Sequence, residues 1–118
     1  MHELSLVQSV FAALKDELPP EEMAKVAAVE LKIGLLANVE PILLQNAFTA
    51  YQQTHPEYAA IELKTLMVDI MIHCPNCHKQ SKVSNYVFRC AYCDTPSNQI
   101  VAGEELLIHK IYYHEKIP

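Results

Sequence analysis

Glycine is almost absent from this 118-residue chain, which contains only two, and tryptophan is missing altogether. So few glycines exclude a glycine-rich loop of the kind that cradles phosphate groups. Positive charge is also scarce, because nine Lys and Arg residues stand against fourteen Asp and Glu, and the formal net charge is −5. Nucleic acid is therefore an unfavourable partner, since binding its phosphates needs a basic surface.

Long apolar runs are missing too, although 51% of the residues are hydrophobic. Apolar stretches such as VAAVELKIGLLANVEPILL are interrupted by charges, and none reaches the roughly 20 residues that a membrane-spanning helix needs. The first residues lack the basic-then-apolar order of a secretory signal. We therefore expect a cytoplasmic protein with no membrane span, built as one domain or as one domain with a small insert.

Two stretches have the periodicity of amphipathic helices. In the first, apolar side chains at positions 4, 7, 11, 14 and 18 fall on one helix face, and Pro19 and Pro20 end the helix. In the second, Pro41 suits the first helical turn, with Glu40 at its start. The apolar face of this second helix consists of Leu44, Ala47, Phe48 and Tyr51.

Three stretches alternate between apolar and polar residues, as half-buried strands do. They cover residues 25–33, 60–72 and 103–113, and Gly34 is expected to loosen the chain after the first. The segment between the last two strands contains all four cysteines and is therefore predicted to be an insertion. The chain order is thus helix, strand, helix, strand, metal module and strand.

The cysteines form two close pairs, Cys74-x-x-Cys77 and Cys90-x-x-Cys93, separated by twelve residues. Two such turns can direct four sulfurs to one tetrahedral point, and clustered thiols in a reducing compartment predict a structural Zn(II) site. An iron centre on the same sulfurs and a redox-active dithiol are the alternatives. His78 and Asp94 follow the two pairs, where the backbone of such a turn favours positive φ, and both residue types tolerate that region.

The chain begins Met-His-Glu, which can hold a different metal. With Met1 as a free N-terminus, its α-amine, the amide nitrogen of His2 and the imidazole of His2 can close adjacent chelate rings. A further donor completes a square-planar or tetragonal site, a geometry that suits Ni(II) or Cu(II). Glu3 can supply oxygen or orient the imidazole, although an acid in the first helical turn also complements the helix dipole without any metal.

These features occur together in one known family. The start MHELSLVQSV, the LKIG strand followed by VEP, the two CxxC pairs twelve residues apart and the closing GEELLI segment resemble the HypA/HybF family of nickel metallochaperones. The resemblance implies two helices on a three-stranded sheet, spanning residues 1–70 and 104–118, with a zinc-ribbon-like domain inserted at 71–103. It implies nickel held at Met1 and His2, with Glu3 and Glu40 nearby, and zinc held by Cys74, Cys77, Cys90 and Cys93.

The resemblance also implies partners and a role. Family members work with a nickel-binding GTPase and deliver Ni(II), as transient cargo, to the large subunit of [NiFe]-hydrogenase, and some serve urease. We expect a protein that is not an enzyme, since a closed four-sulfur site leaves no open coordination position for catalysis. The sequence does not decide between a monomer and a homodimer. Asp94 departs from the family's usual glycine, and His73 and His78 flank the first cysteine pair. The alternatives are a zinc-ribbon interaction module, which leaves Met-His-Glu unexplained, and a thiol oxidoreductase.

Overall fold

The computed structural model describes residues 3–114, and these form three α-helices and six β-strands. The helices are α1 (Glu3–Glu17), α2 (Pro20–Met23) and α3 (Pro41–Thr54), with 3-10 turns at Leu35–Ala37 and Pro56–Tyr58. The strands are β1 (Val26–Gly34), β2 (Glu62–Val68), β3 (Met71–His73), β4 (Gln80–Lys82), β5 (Ile100–Ala102) and β6 (Leu106–Tyr113). One sheet has the order β2-β1-β6 and the other β4-β3-β5. The predicted α+β class is confirmed.

The chain divides into two compact units, which are described separately. The first comprises Met1–Leu31, Val39–Leu66 and Leu107–Pro118, and the second comprises Lys32–Asn38 and Met67–Leu106. Within residues 3–114 the structure contains no helix that could span a membrane.

In the first unit, α1 and α3 pack against each other through aromatic side chains. Phe11 is fully buried, and its ring centroid lies 4.6 Å from that of Tyr51, 4.7 Å from Tyr58 and 5.4 Å from Phe48. Burial of a side chain of this size contributes about 2–3 kcal/mol. The first predicted helix is confirmed as α1, with most of its apolar face buried, and Pro19 and Pro20 lie just beyond its end.

The apolar face of α1 is shorter than predicted. Val7, Phe11 and Leu14 are buried, and Val10 joins them, but Leu4 is 49% exposed. A helix face buries only where another element covers it, and Leu4 lies in the first turn of α1 without such cover. The spacing of apolar residues therefore predicted a face that includes Leu4, which lies outside the buried part of the helix.

Strand β1 is the central strand of its sheet, and its burial follows the predicted alternation. Val29, Leu31 and Ile33 are buried, whereas Glu30 and Lys32 are only half-buried. Successive side chains of a strand point to opposite faces of the sheet, which gives this alternation of burial. Strand β6 lies at an edge, and each of its residues is exposed or half-buried.

The single strand predicted over residues 60–72 is wrong. The structure breaks it into β2 and β3, which belong to different sheets. Ile70 lies between them, is buried in the core of the second unit and accepts a 2.8 Å hydrogen bond at its carbonyl from the backbone N–H of Val83. The alternating pattern continues across this break, so periodicity could not locate it.

The second unit has a small core around a short antiparallel sheet. Ile70, Ile72 and Val83 are its buried members, and Leu36, Phe88 and Ile100 pack against them. Strand β3 is paired with β4 on one side, with Ile72 opposite Ser81, and with β5 on the other. These strands have three residues each, and the sequence analysis did not identify β4, β5 or α2.

Both glycines of the chain lie in this second unit, where their backbones approach each other. A Cβ on Gly34 would lie 2.0 Å from the carbonyl oxygen of Gly103, and Gly103 has φ +112°. Gly34 N–H donates to Glu105 O (2.7 Å), and Gly103 N–H donates to the Glu105 carboxylate (2.6 Å). Backbone N–H groups of Glu105 itself and of Gly103 hold the pKa of that carboxyl below its usual range. Gly34 therefore permits a close contact, and the expectation that it loosens the chain is wrong.

Candidate metal centre

The four cysteines converge on one point in the second unit. Their sulfur atoms all lie within 4.8 Å of one another. The Cys74 and Cys93 sulfurs are 3.5 Å apart, as are those of Cys77 and Cys90. A tetrahedral zinc ion with bonds of about 2.3 Å requires sulfurs about 3.8 Å apart. The separations and the all-thiol donor set therefore fit a four-coordinate Zn(II), in a chain whose cysteines form no disulfide.

Each cysteine pair is held by the same backbone turn. In the first, Cys74 N–H donates to Lys79 O (2.9 Å) and His78 N–H donates to Cys74 O (3.0 Å). In the second, the matching bonds run from Cys90 N–H to Thr95 O and from Asp94 N–H to Cys90 O, both 2.9 Å.

The residue after each cysteine pair has the left-handed backbone that the turn requires, with φ +63° at His78 and +61° at Asp94. Positive φ at these two positions, predicted from the spacing of the cysteines, is confirmed. Asp94, which stands in place of the family's usual glycine, therefore keeps the turn geometry.

The two turns leave their cysteines unequally exposed. Cys74 and Cys90, which begin the turns, are 0% and 3% exposed, whereas Cys77 is half-buried and Cys93 is exposed. The pKa values of the free thiols also diverge. The Thr95 hydroxyl, the Thr95 backbone N–H and Asn76 lower the pKa of Cys93 to about 6 by hydrogen bonding to its sulfur. A hydrogen bond that stabilises a thiolate favours the form that binds metal.

The other cysteines differ in the direction of the pKa shift. Backbone N–H groups, that of Tyr92 first, lower the pKa of Cys90. A backbone hydrogen bond from Lys79 acts in the same direction on Cys77, but desolvation and the hydrogen bonds with the other three cysteines outweigh it and raise its pKa to about 11. Four neighbouring thiols resist losing all their protons without a cation, which is the electrostatic reason such a cluster requires a metal ion.

Three basic residues near the cysteine pairs, Lys79, Lys82 and Arg89, each interact with a neighbouring side chain or carbonyl. The ammonium group of Lys79 lies 4.8 Å from the centroid of the Tyr92 ring. Lys82 pairs with Asp69 at 3.4 Å. Arg89 donates to the Asp94 carbonyl at 3.1 Å and lies 3.8 Å from its carboxylate. These exposed pairs contribute little to stability.

The predicted nickel residues lie only partly within the described chain. Met1 and His2 are outside residues 3–114. Glu3 is the first residue of α1 and is half-buried. Glu40 is exposed and precedes α3, where its carbonyl accepts a 2.9 Å bond from Leu44 N–H while its side chain does not cap the helix. The Glu40 carboxylate is therefore not used in capping α3.

The remaining histidines have separate surroundings. The rings of His73 and His78 are 6.0 Å apart, beside the first cysteine pair. His109 Nε2 lies 3.9 Å from the Glu30 carboxylate on the neighbouring strand. His55, which the sequence analysis overlooked, stacks on Tyr51 with ring centroids 4.0 Å apart.

Sequence reasoning also missed polar residues that support the cysteine cluster. Ser97 donates to the His73 carbonyl at 2.5 Å, and the Ser81 hydroxyl accepts a bond from Ala91 N–H at 3.2 Å. Thr95 and Asn76 contact Cys93. Only Thr95 had a recognisable signal, since it stands two residues after a cysteine pair, where the turn directs groups toward the sulfur.

The fold and the cluster together define a small α+β protein with four cysteines placed to hold one metal ion. A model of the HypA family, described as hydrogenase/urease nickel incorporation, metallochaperone, matches residues 1–113. This chain therefore belongs to the HypA family of nickel-incorporation metallochaperones, and the resemblance found in the sequence is confirmed.

Individual relatives agree with this assignment. The chain is similar to a protein named hydrogenase maturation factor HypA from Desulfitobacterium hafniense, with 37% identity over 98% of this chain and 100% of that protein. The protein of the same name from Chloroflexus aurantiacus is 35% identical over 90% of this chain and 93% of its own length. A third, from Aquifex aeolicus, is 31% identical over 94% and 96%.

Solved structures share the fold. The solution structure of the Ni metallochaperone HypA from Helicobacter pylori has a TM-score of 0.66 and 20% identity, covering 98% of this chain and 100% of that one. Another solution structure of HypA protein has a TM-score of 0.69 and 20% identity, covering 97% of each chain. At this identity the likeness concerns the fold alone.

Proposed function

We propose that this chain is a nickel metallochaperone that binds Ni(II) at its N-terminus and delivers it during maturation of [NiFe]-hydrogenase, with urease as a further client. The observation that carries the proposal is the family match over residues 1–113, which includes the Met-His-Glu start. A delivery protein must take up nickel and then surrender it. A site at the chain terminus, made from few side chains, suits both requirements because a partner can reach it.

The nickel ligands in this proposal are the Met1 α-amine, the His2 amide nitrogen and the His2 imidazole. Nitrogen donors in adjacent chelate rings favour the square-planar geometry that Ni(II) accepts and Zn(II) does not prefer. Glu3 and Glu40 are proposed as acidic residues near this site, as ligands or as hydrogen-bond acceptors for the imidazole. Selectivity over copper does not follow from the donor set, because the same ligands hold Cu(II) more tightly.

The second part of the proposal is that Cys74, Cys77, Cys90 and Cys93 hold a structural Zn(II). Two sulfur pairs 3.5 Å apart, with all four sulfurs within 4.8 Å of one another, and the small core of the second unit support it. So little apolar burial gives the unit limited stability of its own, and binding of the metal supplies the remainder. We expect one zinc per chain in purified protein, and loss of this zinc in Cys77→Ser, measured by metal analysis. Retention of one zinc by that variant would contradict this assignment.

The wider role follows from the same family relation. We propose residues 1–70 and 104–118 as the nickel-binding domain and 71–103 as the zinc-binding domain. The proposed partners are a nickel-binding GTPase of hydrogenase maturation and the large subunit of [NiFe]-hydrogenase, in the cytoplasm. The protein acts as a carrier and not as an enzyme, since a closed four-thiolate zinc offers no open coordination position.

An N-terminal extension tests the nickel site directly. Three alanines added before Met1 displace the α-amine from its chelate ring and leave every side chain in place. The histidine then stands fifth from the new terminus, beyond the third position at which an amine, two amides and an imidazole would form a new planar site. We expect the zinc-loaded native protein to form a one-to-one nickel complex with the absorption spectrum of planar Ni(II), and the extended protein to lose it. The control adds the three alanines after Pro118. Equal nickel spectra in all three proteins would contradict the proposal and favour a zinc-ribbon interaction module instead.

A further inference from the structure

The four proposed zinc ligands are not equally accessible. Cys74 and Cys90 are buried, at 0% and 3% exposure, and Cys77 is half-buried, whereas Cys93 is exposed. A dissolved molecule that reacts with the centre therefore reaches the Cys93 sulfur first. Accessibility alone would make this ligand the weakest point of the cluster.

Cys93 is also the sulfur with side-chain hydrogen-bond partners. The Thr95 hydroxyl oxygen lies 3.2 Å from Cys93 Sγ, and the Asn76 amide nitrogen lies 3.7 Å from it. Because a metal-bound thiolate has no proton, both groups must donate to the sulfur. By contrast, Cys74 and Cys90 accept 3.4 Å bonds from the backbone N–H groups of Cys77 and Tyr92.

These two donors come from different turns. Asn76 lies inside the first cysteine pair and Thr95 follows the second, so the Cys93 sulfur is contacted by side chains from both turns. A hydrogen bond donated to a thiolate draws electron density from the sulfur, which makes it a poorer nucleophile. It also fixes the side chain in the orientation that the tetrahedral site needs.

We propose that the zinc centre opens at Cys93, and that Thr95 and Asn76 keep it closed by hydrogen bonding to the Cys93 sulfur. Both are positioning residues for the metal. This inference rests on the zinc part of the proposed function. An electrophile that attacks here forms a carbon–sulfur bond while the zinc–sulfur bond breaks, and three thiolates remain to hold the metal less tightly.

Limited alkylation of the zinc-loaded full chain tests this order of events. With less than one equivalent of N-ethylmaleimide, the sulfur adds to one alkene carbon and the neighbouring carbon takes a proton from water. Peptide mass spectrometry locates the adduct, and a chromogenic chelator reports released zinc. We expect the first adduct on Cys93, with zinc released as it forms.

A second experiment removes the two groups that donate hydrogen bonds to Cys93. Thr95→Val keeps the side-chain shape but removes the hydroxyl, and Asn76→Ala removes the amide. Loss of one such hydrogen bond should speed the reaction of Cys93 and zinc release about threefold to tenfold. The matched control is Thr65→Val, at an exposed position of β2, which should react as the native chain does. Each variant is first checked for one bound zinc and an unchanged circular dichroism spectrum.

The outcomes separate this inference from the zinc assignment. A first adduct on another cysteine, or an unchanged rate in both donor variants, would overturn the role of Cys93 and its donors while the zinc site stands. Four thiols that react together, as fast in the native protein as after treatment with a chelator, would instead contradict the zinc site itself.

Discussion

Addition of a single methyl group at Gly34 should destabilise the second unit severely. In Gly34→Ala, the new Cβ would lie 2.0 Å from the Gly103 carbonyl oxygen and 2.6 Å from the Glu104 nitrogen. Real Cβ atoms essentially never approach closer than 3.0 Å, so the two segments must separate by about 1 Å. The obstacle is backbone and not the end of a flexible side chain, and no rotamer change can relieve it.

The cost can be worked from the contacts that this separation breaks. Gly34 N–H donates to Glu105 O at 2.7 Å, and Leu36 N–H donates to Gly103 O at 2.8 Å. Two hydrogen bonds contribute about 1–3 kcal/mol together, and overpacking adds about 1–3 kcal/mol. We therefore expect the free energy of unfolding to fall by about 4 kcal/mol, and the melting temperature by about 10 °C or more.

Thermal and urea unfolding of zinc-loaded protein, followed by circular dichroism, measure this loss. The control is Ala37→Ser, which also adds one heavy atom, at a half-buried position three residues along, and should change stability by less than about 0.5 kcal/mol. Should Gly34→Ala unfold within about 0.5 kcal/mol of the native chain, the close approach of these two segments would be refuted.

Two further substitutions test the packing and the backbone. Leu14→Ala removes a side chain that is 1% exposed and should cost about 2–5 kcal/mol in unfolding free energy. Leu4→Ala, at 49% exposure on the same predicted face, should cost less than about 1 kcal/mol; equal losses would contradict the burial of α1. Tyr86 follows Asn85 in a two-residue turn with φ +58°, so Tyr86→Gly should stabilise by about 0.5–1 kcal/mol after the entropy of glycine is counted. The control is Val87→Gly, which should lower the free energy of unfolding. A lower free energy of unfolding in Tyr86→Gly would refute the strained turn.

Sequence patterns predicted correctly the elements that are long enough for their buried positions to repeat several times. Helices α1 and α3 and strand β1 each present a repeated apolar face, and proline marks the end of α1 and the start of α3. The cysteine cluster was predicted from spacing alone, because two short turns leave few ways to place four sulfurs. Positive φ at His78 and Asp94 followed from the same turn geometry.

The features that were missed depend on contacts between distant residues. Strands of three residues are too short for a period, and the break at Ile70 occurs inside an unbroken alternation. Gly34 was interpreted as flexible because the sequence does not reveal that Gly103 lies opposite. Thr95 and Asn76 act on a sulfur that belongs partly to the other turn, so their role became visible only with the folded backbone.

A calorimetric titration of Ni(II) into zinc-loaded protein with its native N-terminus decides whether the chain binds nickel through Met1 and His2. The variant is His2→Ala, and the control is His114→Ala, which removes an exposed histidine elsewhere in the chain. We expect the native protein and the control each to bind one nickel with micromolar or tighter affinity, and His2→Ala to lose this binding. Equal affinity in all three proteins would contradict an N-terminal nickel site.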